Sequence, residues 1–492
     1  MILFLLLLPY KILCFSPTLS HNQQKIPLPP IKSRAATTNA AATTTSSSER
    51  NIDNLQDWAI QNGIAFIPGL ELEKEKEEDS NYGVKLKETE TEGPNSLPPD
   101  PTVIMTIPPI TIISSAMLDP SLKQKATELL HKLGRPHMKQ YLPELSLFIL
   151  FLQELDKGSN SRWYPWIQCL PKTFDTGLHM DEFEHQYAKQ IGMEMFLNHQ
   201  MEQWESFQTV YRQLFPEKQK QYSSAACYLY TLKWAFSVVF TRSWTTSYKV
   251  NGESASVLVP LGDMFNHNSA KANVKVVQDT PTSDVTLVWK DDNDYIKKTH
   301  HHSSTNQGLY INYGFPEWPA RFIFTFGFLD TSSPYIFSNI TFDTTVETSA
   351  KGMGFTDTSK MVFYTEDGAI SDWTWLGVLY KVLLQKQKIW PYEESLVDAH
   401  KILFDACVQQ QQDDDPLSDD RLVRVFLRHQ QDCVIWMKHH LDSMLETVYG
   451  PLPNLTSQEY QDHPRLVMLV EYHEFMREVH QKVRDNLPGY DG

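Results

Sequence analysis

Leu258–Asn273 reads LVPLGDMFNHNSAKAN and is the densest cluster of unusual residues in the chain. A β-branched, apolar run enters Asp263, after which Asn266, His267, Asn268 and Asn273 follow in a turn-forming stretch. Taken alone, an Asn-His pair in a loop is most simply a satisfied polar turn. Downstream, GLYINYG (Gly308–Gly314) predicts a strand that ends in Tyr313-Gly314. Upstream, TLKWAFSVVFTRSW (Thr231–Trp244) is too apolar for a surface helix and predicts a buried one, with Arg242 near its end. LSLFILFLQEL (Leu145–Leu155) predicts another.

Further out, Asn51–Gly63 has Ile52, Leu55, Trp58 and Ala59 at helical spacing and stops at a glycine. Glu71–Pro101 is charged and predicts a loop around one strand near Tyr82–Leu86. Val103–Ser114 predicts strands interrupted by Pro108–Pro109. Helical pattern fills Pro120 to about Phe240, and strand character returns at Val257–Asp263, Val274–Val277, Asp284–Trp289 and Gly308–Tyr313. Ser371–Leu487 is long and helical, clearest at Leu422–Leu445 and Pro464–Val483. The order is strands, inserted helices, strands, then a separate helical region, an α+β arrangement.

At 492 residues the chain exceeds one compact core, and 41% apolar residues suit a globular protein. Its net charge of −16 repels phosphate backbones and argues against nucleic-acid binding. Met1–Phe15 is apolar, but its unbroken run ends at Pro9, short of a membrane span. Ser16–Ser48 is rich in Ser, Thr, Ala and Pro and free of acids, so residues 1–48 read as a targeting leader outside the fold. This resembles the bipartite leaders of algal secondary plastids; the alternatives are a secretory signal or a cytoplasmic protein. Five scattered cysteines form no CxxC pair. Cys169 and Cys227 read as buried thiols, Trp163, Tyr164 and Trp166 as packing, and His300–His302 as a solvated loop rather than a metal site.

Taken in order, these segments resemble the SET-domain methyltransferases, and within them the Rubisco large-subunit methyltransferase subgroup. The likeness rests on LVPLGDMFNH, on KWAFSVVFTRSW, on LFILFLQELDKGSNSRWYPWIQCLPKTFDT, and on NYGFPEWPARFIFTFGFLD. LQDWAIQNG and IMTIP fit its opening helix and strand. The resemblance implies a SET-domain fold of small sheets with these divisions: 49–118 and 233–345 as the two SET halves, 119–232 as an inserted helical segment, and 346–492 as a helical substrate-binding domain.

By the same resemblance the chain is an S-adenosyl-L-methionine-dependent protein-lysine N-methyltransferase. Tyr313 is then the catalytic residue, and Asn266, His267, Arg242 and Gly83 bind the cofactor. Asp263, Ile311 and Phe326 face the substrate, with Asp263 also read as orienting Arg242. No metal is implied. The partner is a protein substrate, such as a stromal protein like Rubisco, and the chain acts as a monomer. Histidine methylation and a catalytically weak SET scaffold remain as alternatives. Two departures stand out: only Gly83 represents the subgroup's Gly-x-Gly, and FPEWP replaces the small polar residues after Tyr313-Gly314. Ile311, two positions before Tyr313, carries no hydroxyl, and Phe326 stands where the subgroup has a tyrosine.

Overall fold

The structure is a computed structural model that describes residues 52–74, 82–87, 103–250, 253–278, 284–290, 306–314, 318–339, 360–390, 393–409, 420–452 and 455–489. The leader, His300–His302 and Phe315–Glu317 of FPEWP lie outside the described residues. Of the expected 71–101 loop, residues 75–81 and 88–101 do as well.

The described residues open with α1 (Ile52–Gln61), followed by four short strands: β1 (Ala65–Phe66), β2 (Leu70–Lys74), β3 (Tyr82–Lys87) and β4 (Val103–Ile107). Pro108–Pro109 ends β4 because proline supplies no ladder donor, and after a single 3₁₀ turn β5 (Ile113–Ser114) resumes. Leu70–Lys74 corrects the loop expectation. Its Leu-Glu-Leu-Glu alternation is a period-2 pattern hidden in a charged run, and it pairs antiparallel with β3 from Leu70↔Leu86 to Lys74↔Tyr82.

Among the described residues, six helices follow and carry the inserted segment: α2 (Pro120–Lys132), α3 (Leu142–Asp156), α4 (Tyr164–Cys169), α5 (Glu182–Gln190), α6 (Glu194–Leu214) and α7 (Ala225–Arg242). The Asp119 carboxylate accepts from the Ser121 amide (2.8 Å) and caps α2, with Pro120 in the first turn where its missing N–H costs nothing. Helix α3 buries Leu145, Leu147, Phe148, Ile149, Phe151 and Leu152, as its apolar composition requires. Helix α7 stops at Arg242, two residues before the expected end. Ser243–Val250 (SWTTSYKV) is instead β6, favoured by its aromatic and β-branched residues and paired with β7 (Glu253–Leu258). Cys169 is buried, but Cys227 is exposed because it falls on the solvent side of the first turn of α7.

Next come β8 (Asn266–His267), β9 (Val274–Val277), β10 (Val285–Trp289), β11 (Asn306–Ile311) and helix α8 (Pro319–Phe326). Three sheets result, ordered β1-β4-β10-β9, β2-β3-β11-β8 and β5-β7-β6. A further pair that the sequence pattern did not reveal joins β12 (Tyr335–Asn339) to β13 (Lys360–Tyr364). Helices α9 (Asp372–Ile389), α10 (Glu394–Gln409), α11 (Asp420–Thr447), α12 (Ser457–Asp462) and α13 (Leu466–Asn486) complete the chain.

Two apolar cores form. The first joins the three sheets to α3, α4 and α7, and includes Phe148, Trp166, Phe236, Phe265 and Ile311. The second joins α9–α11 and α13 to β12 and β13, and it also takes Tyr187 and Leu197 from the inserted helices and Ile323 from α8. Half-buried Met201 packs against both. Polar links follow the same seam: the Arg465 amide donates to Glu184 (2.9 Å), and His463 bonds Asp181 (2.6 Å) while stacking on Phe183. Among the described residues, no helix is long and apolar enough to cross a membrane.

Candidate active site

The stretch after β7 leaves regular structure abruptly. Leu261 has φ +67° and ψ −38°, the one positive φ on a non-glycine among the described residues, a sparsely populated conformation that costs on the order of 1–3 kcal/mol. Its side chain is buried, and that burial holds the strained turn in place. At Gly262 a Cβ would sit 2.7 Å from the Trp244 ring and 3.0 Å from Val259, so no larger residue fits. A single 3₁₀ turn, Gly262–Met264, then delivers Phe265, Asn266 and His267.

Three distant elements grip this turn. Arg242, the last residue of α7, donates through Nη1 to the Asp263 carbonyl (2.8 Å) and to its Oδ2 (3.1 Å). The indole N–H of Trp166 in α4 reaches both Asp263 carboxylate oxygens at 3.2 Å. The Tyr313 hydroxyl donates to the Phe265 carbonyl at 2.9 Å. Full burial pushes the Asp263 carboxyl upward in pKa, while Arg242 and Trp166 pull it back. The Asp263 side chain has no exposure, and its oxygens are committed to Arg242 and Trp166. This is the orienting role; a substrate contact does not fit, because no carboxylate surface remains to offer. Arg242 keeps one buried donor, Nε, with no acceptor among the described residues.

Asn266–His267 forms a two-residue parallel pairing with β11, Tyr310↔Asn266 and Ile311↔His267. Asn273 extends the junction: its backbone N–H donates to the Tyr310 carbonyl, its side-chain oxygen accepts from the Tyr310 amide, and its side-chain amide donates to the Gly308 carbonyl. The Asn-rich stretch is therefore a strand substitute that pins β11. Beyond β11 the chain turns at Gly314, with φ +83° and an amide bonded to the Asn312 side chain (2.8 Å). A side chain there would be strained, which accounts for the Tyr-Gly order.

The His267 side chain is almost fully buried, and both ring nitrogens are used within the protein. Nδ1 accepts the Tyr313 backbone N–H (3.0 Å), so Nε2 carries the proton and donates to Asp330 Oδ2 (2.8 Å). Burial raises the Asp330 pKa, but hydrogen bonds from His267, Ser269 and Ser332 outweigh it and hold the carboxyl far below its ordinary range. Both ring nitrogens of His267 are thus engaged within the protein, so a cofactor contact at this residue falls to its backbone or ring face.

Aromatic rings close around Tyr313. Its centroid lies 5.0 Å from Phe326 and 5.1 Å from His267, and Phe322 and Phe328 complete the wall. Phe326 and Tyr313 are only half-buried, which leaves part of this wall accessible. Ile311 packs into the first core beside it. Gly83 is buried in β3, paired with Glu73, on the same sheet as Asn266 but separated from it by β11. Trp163 and Trp166 are buried, Trp163 bonding the Thr111 carbonyl (2.7 Å).

Sequence reasoning therefore brought together Arg242, Asp263, Asn266, His267, Tyr313 and Phe326. It missed Asp330, Trp166 as a ligand of Asp263, and the Phe322 and Phe328 walls. Only the Phe-rich spacing of FIFTFGF signalled the last two.

No family model matches the chain. It is 26% identical over 213 residues to the ribosomal lysine N-methyltransferase Set10 of Schizosaccharomyces pombe, a match that covers 43% of this chain and 36% of that protein. The chain thus spans about a third of the length of that curated relative. Among solved structures it resembles the SET domain of LSMT bound to lysine and AdoHcy, with a TM-score of 0.55, 15% identity, and 89% of this chain and 91% of that one covered. It also resembles Rubisco LSMT bound to sinefungin and monomethyllysine, with a TM-score of 0.53, 13% identity, and coverage of 88% and 90%. With the small sheets, the parallel β8–β11 pairing and the C-terminal helices in place, the fold of this chain is that of the LSMT SET domain with its helical C-terminal region.

Proposed function

We propose that the chain is an S-adenosyl-L-methionine-dependent protein-lysine N-methyltransferase. The observation that carries this reading is the convergence of Arg242, Tyr313 and the Asn266–His267 pairing on one buried turn, beside an aromatic wall. The lysine-methylating relative and the LSMT structures with AdoMet-type ligands support it.

The residues present fit the cofactor. Arg242 holds a buried donor, Nε, without an acceptor among the described residues, which suits a carboxylate. Asn266 offers donor and acceptor together, and Gly83 leaves its strand without a side chain. When bound, S-adenosyl-L-methionine supplies an activated methyl group for in-line displacement by an amine.

The protein's own work is positioning and electrostatics. A free lysine, with pKa near 10.4, is neutral only to about 0.04% at pH 7. The rings of Phe322, Phe326 and Phe328 exclude water from an amine beside Tyr313 and so favour its neutral form. The Tyr313 hydroxyl, fixed on the Phe265 carbonyl, keeps its oxygen lone pairs beside the reacting centre.

The C-terminal region, residues 346–492, is proposed to dock the protein substrate, through its helices α9–α13. A plastid destination with a stromal substrate such as Rubisco is proposed from the composition of residues 1–48. Calorimetry with S-adenosyl-L-methionine tests cofactor binding. Labelled-methyl transfer into a cell extract, followed by mass spectrometry, tests the reaction and names the acceptor. Absence of both binding and labelling overturns the reading. A fluorescent fusion of Met1–Arg50 that stays in the cytosol overturns the plastid part.

A further inference from the structure

We propose that Asp330 is a positioning residue that fixes the tautomer of His267 and, through it, the backbone of Tyr313. The proposal deepens the methyl-transfer reading and rests on it for its kinetic arm.

The geometry leaves few alternatives. Asp330 is 6% exposed and lies just beyond α8, 63 positions from His267 in the chain. Its Oδ2 faces His267 Nε2 (2.8 Å) and the Ser269 hydroxyl; its Oδ1 faces the Ser332 amide (2.9 Å) and hydroxyl (2.6 Å). The Tyr313 N–H, donating to Nδ1, places the His267 proton on Nε2, so all four groups approach as donors and both carboxylate oxygens accept. The carboxylate thereby stabilises the proton of His267 on Nε2. Nδ1 is left bare to accept the Tyr313 N–H at 3.0 Å. With the proton on the other nitrogen, two N–H groups would meet there. The Tyr313 backbone would then lose its tie, between Asn312 and Gly314, where the chain turns. The hydroxyl of Tyr313 is held separately on Phe265, so the residue is fixed at both ends.

Asp330→Asn is nearly isosteric yet must place its NH₂ against either His267 Nε2–H or the Ser332 amide. It therefore frustrates the network without opening a cavity. In the full chain, kcat for labelled-methyl transfer is expected to fall about 10- to 100-fold, the usual loss when an orienting partner is removed. KM for both substrates is expected to stay within about twofold.

Two-dimensional ¹⁵N NMR of the histidine side chains, with His267 assigned through His267→Gln, reads the tautomer without any turnover. An Nε2–H ring in the native protein that loses this form in Asp330→Asn supports the proposal. An Nδ1–H ring in the native protein overturns it even if the variant fails to fold. An unchanged kcat, or a His267 tautomer unchanged in Asp330→Asn, also overturns it. If the native protein transfers no methyl at all, the methyl-transfer reading fails and the NMR result alone decides the role of Asp330.

Discussion

The Tyr313 hydroxyl donates to the carbonyl of Phe265 at 2.9 Å, which ties the end of one strand to the turn that begins another. Tyr313→Phe removes this bond and nothing else of the ring. Stability is expected to fall by about 1 kcal/mol, with cofactor binding retained. Methyl transfer is expected to drop about 10²- to 10³-fold, measured under single-turnover conditions. A variant as fast as the native protein removes Tyr313 from the chemistry.

Arg242 and Asp263 form a buried pair whose loss is uneven. Asp263→Ala leaves the guanidinium without its carboxylate partner, and urea unfolding is expected to show a loss of about 3–5 kcal/mol. Arg242→Lys keeps the charge but discards the planar fork and its Nε donor. Calorimetry is then expected to show markedly weaker S-adenosyl-L-methionine binding, since a point charge does not reproduce bidentate geometry.

Phe326 stands 5.0 Å from Tyr313, ring to ring, and brings no hydroxyl. Ile311 brings none on the strand side. With no hydroxyl from either residue to hold a water beside the amine, the native protein is expected to add more than one methyl group at long reaction times. Phe326→Tyr and Ile311→Tyr are each expected to shift the product toward fewer methyls, read by intact-peptide mass spectrometry. Exclusive monomethylation by the native protein would count against this.

Acid is expected to weaken the C-terminal helices and, with them, the segment around His179, whose pKa burial likewise lowers to about 4. Burial lowers the pKa of His480, and of His440 with help from Lys381, from 6.5 to about 4 in each case. These groups stay neutral in the fold but protonate in the unfolded chain. Their stabilisation is therefore complete above pH 6.5, declines as pH falls toward about 4, and is lost below that. For the fully buried His480 the change corresponds to roughly 3 kcal/mol. Thermal melts from pH 7 to pH 4 are expected to fall more steeply for the native protein than for His480→Phe. Asp330, with its lowered pKa, adds its own loss only at lower pH.

Long, uniformly apolar segments were the most legible part of the sequence: α3 and α7 announce their burial because no surface helix tolerates so few polar residues. The turn carrying Asp263, Asn266 and His267 was legible as a motif. The details of its bonding were not, because hydrogen-bond partners follow from tertiary approach rather than spacing. Asp330 is a single acid after a phenylalanine run, with nothing local to mark it. Strand β2 had a readable alternation, obscured by the lysines and glutamates around it. The end of α7 was misplaced because Trp244 continues an apolar pattern that a helix and an edge strand share.

The bonds that assemble the turn at Asp263–His267 join residues far apart in the chain: 97 positions for Trp166–Asp263, 63 for His267–Asp330 and 46 for His267–Tyr313. Helical hydrogen bonds, by contrast, close over four positions and form early, while long-range pairings wait for large loops to be ordered. Refolding should then regain its far-ultraviolet helical signal well before it regains the ability to bind ligand. For anyone preparing this protein, native-looking helicity after renaturation is a poor guide to how many molecules have a finished site; a titration of binding stoichiometry is the measure of that.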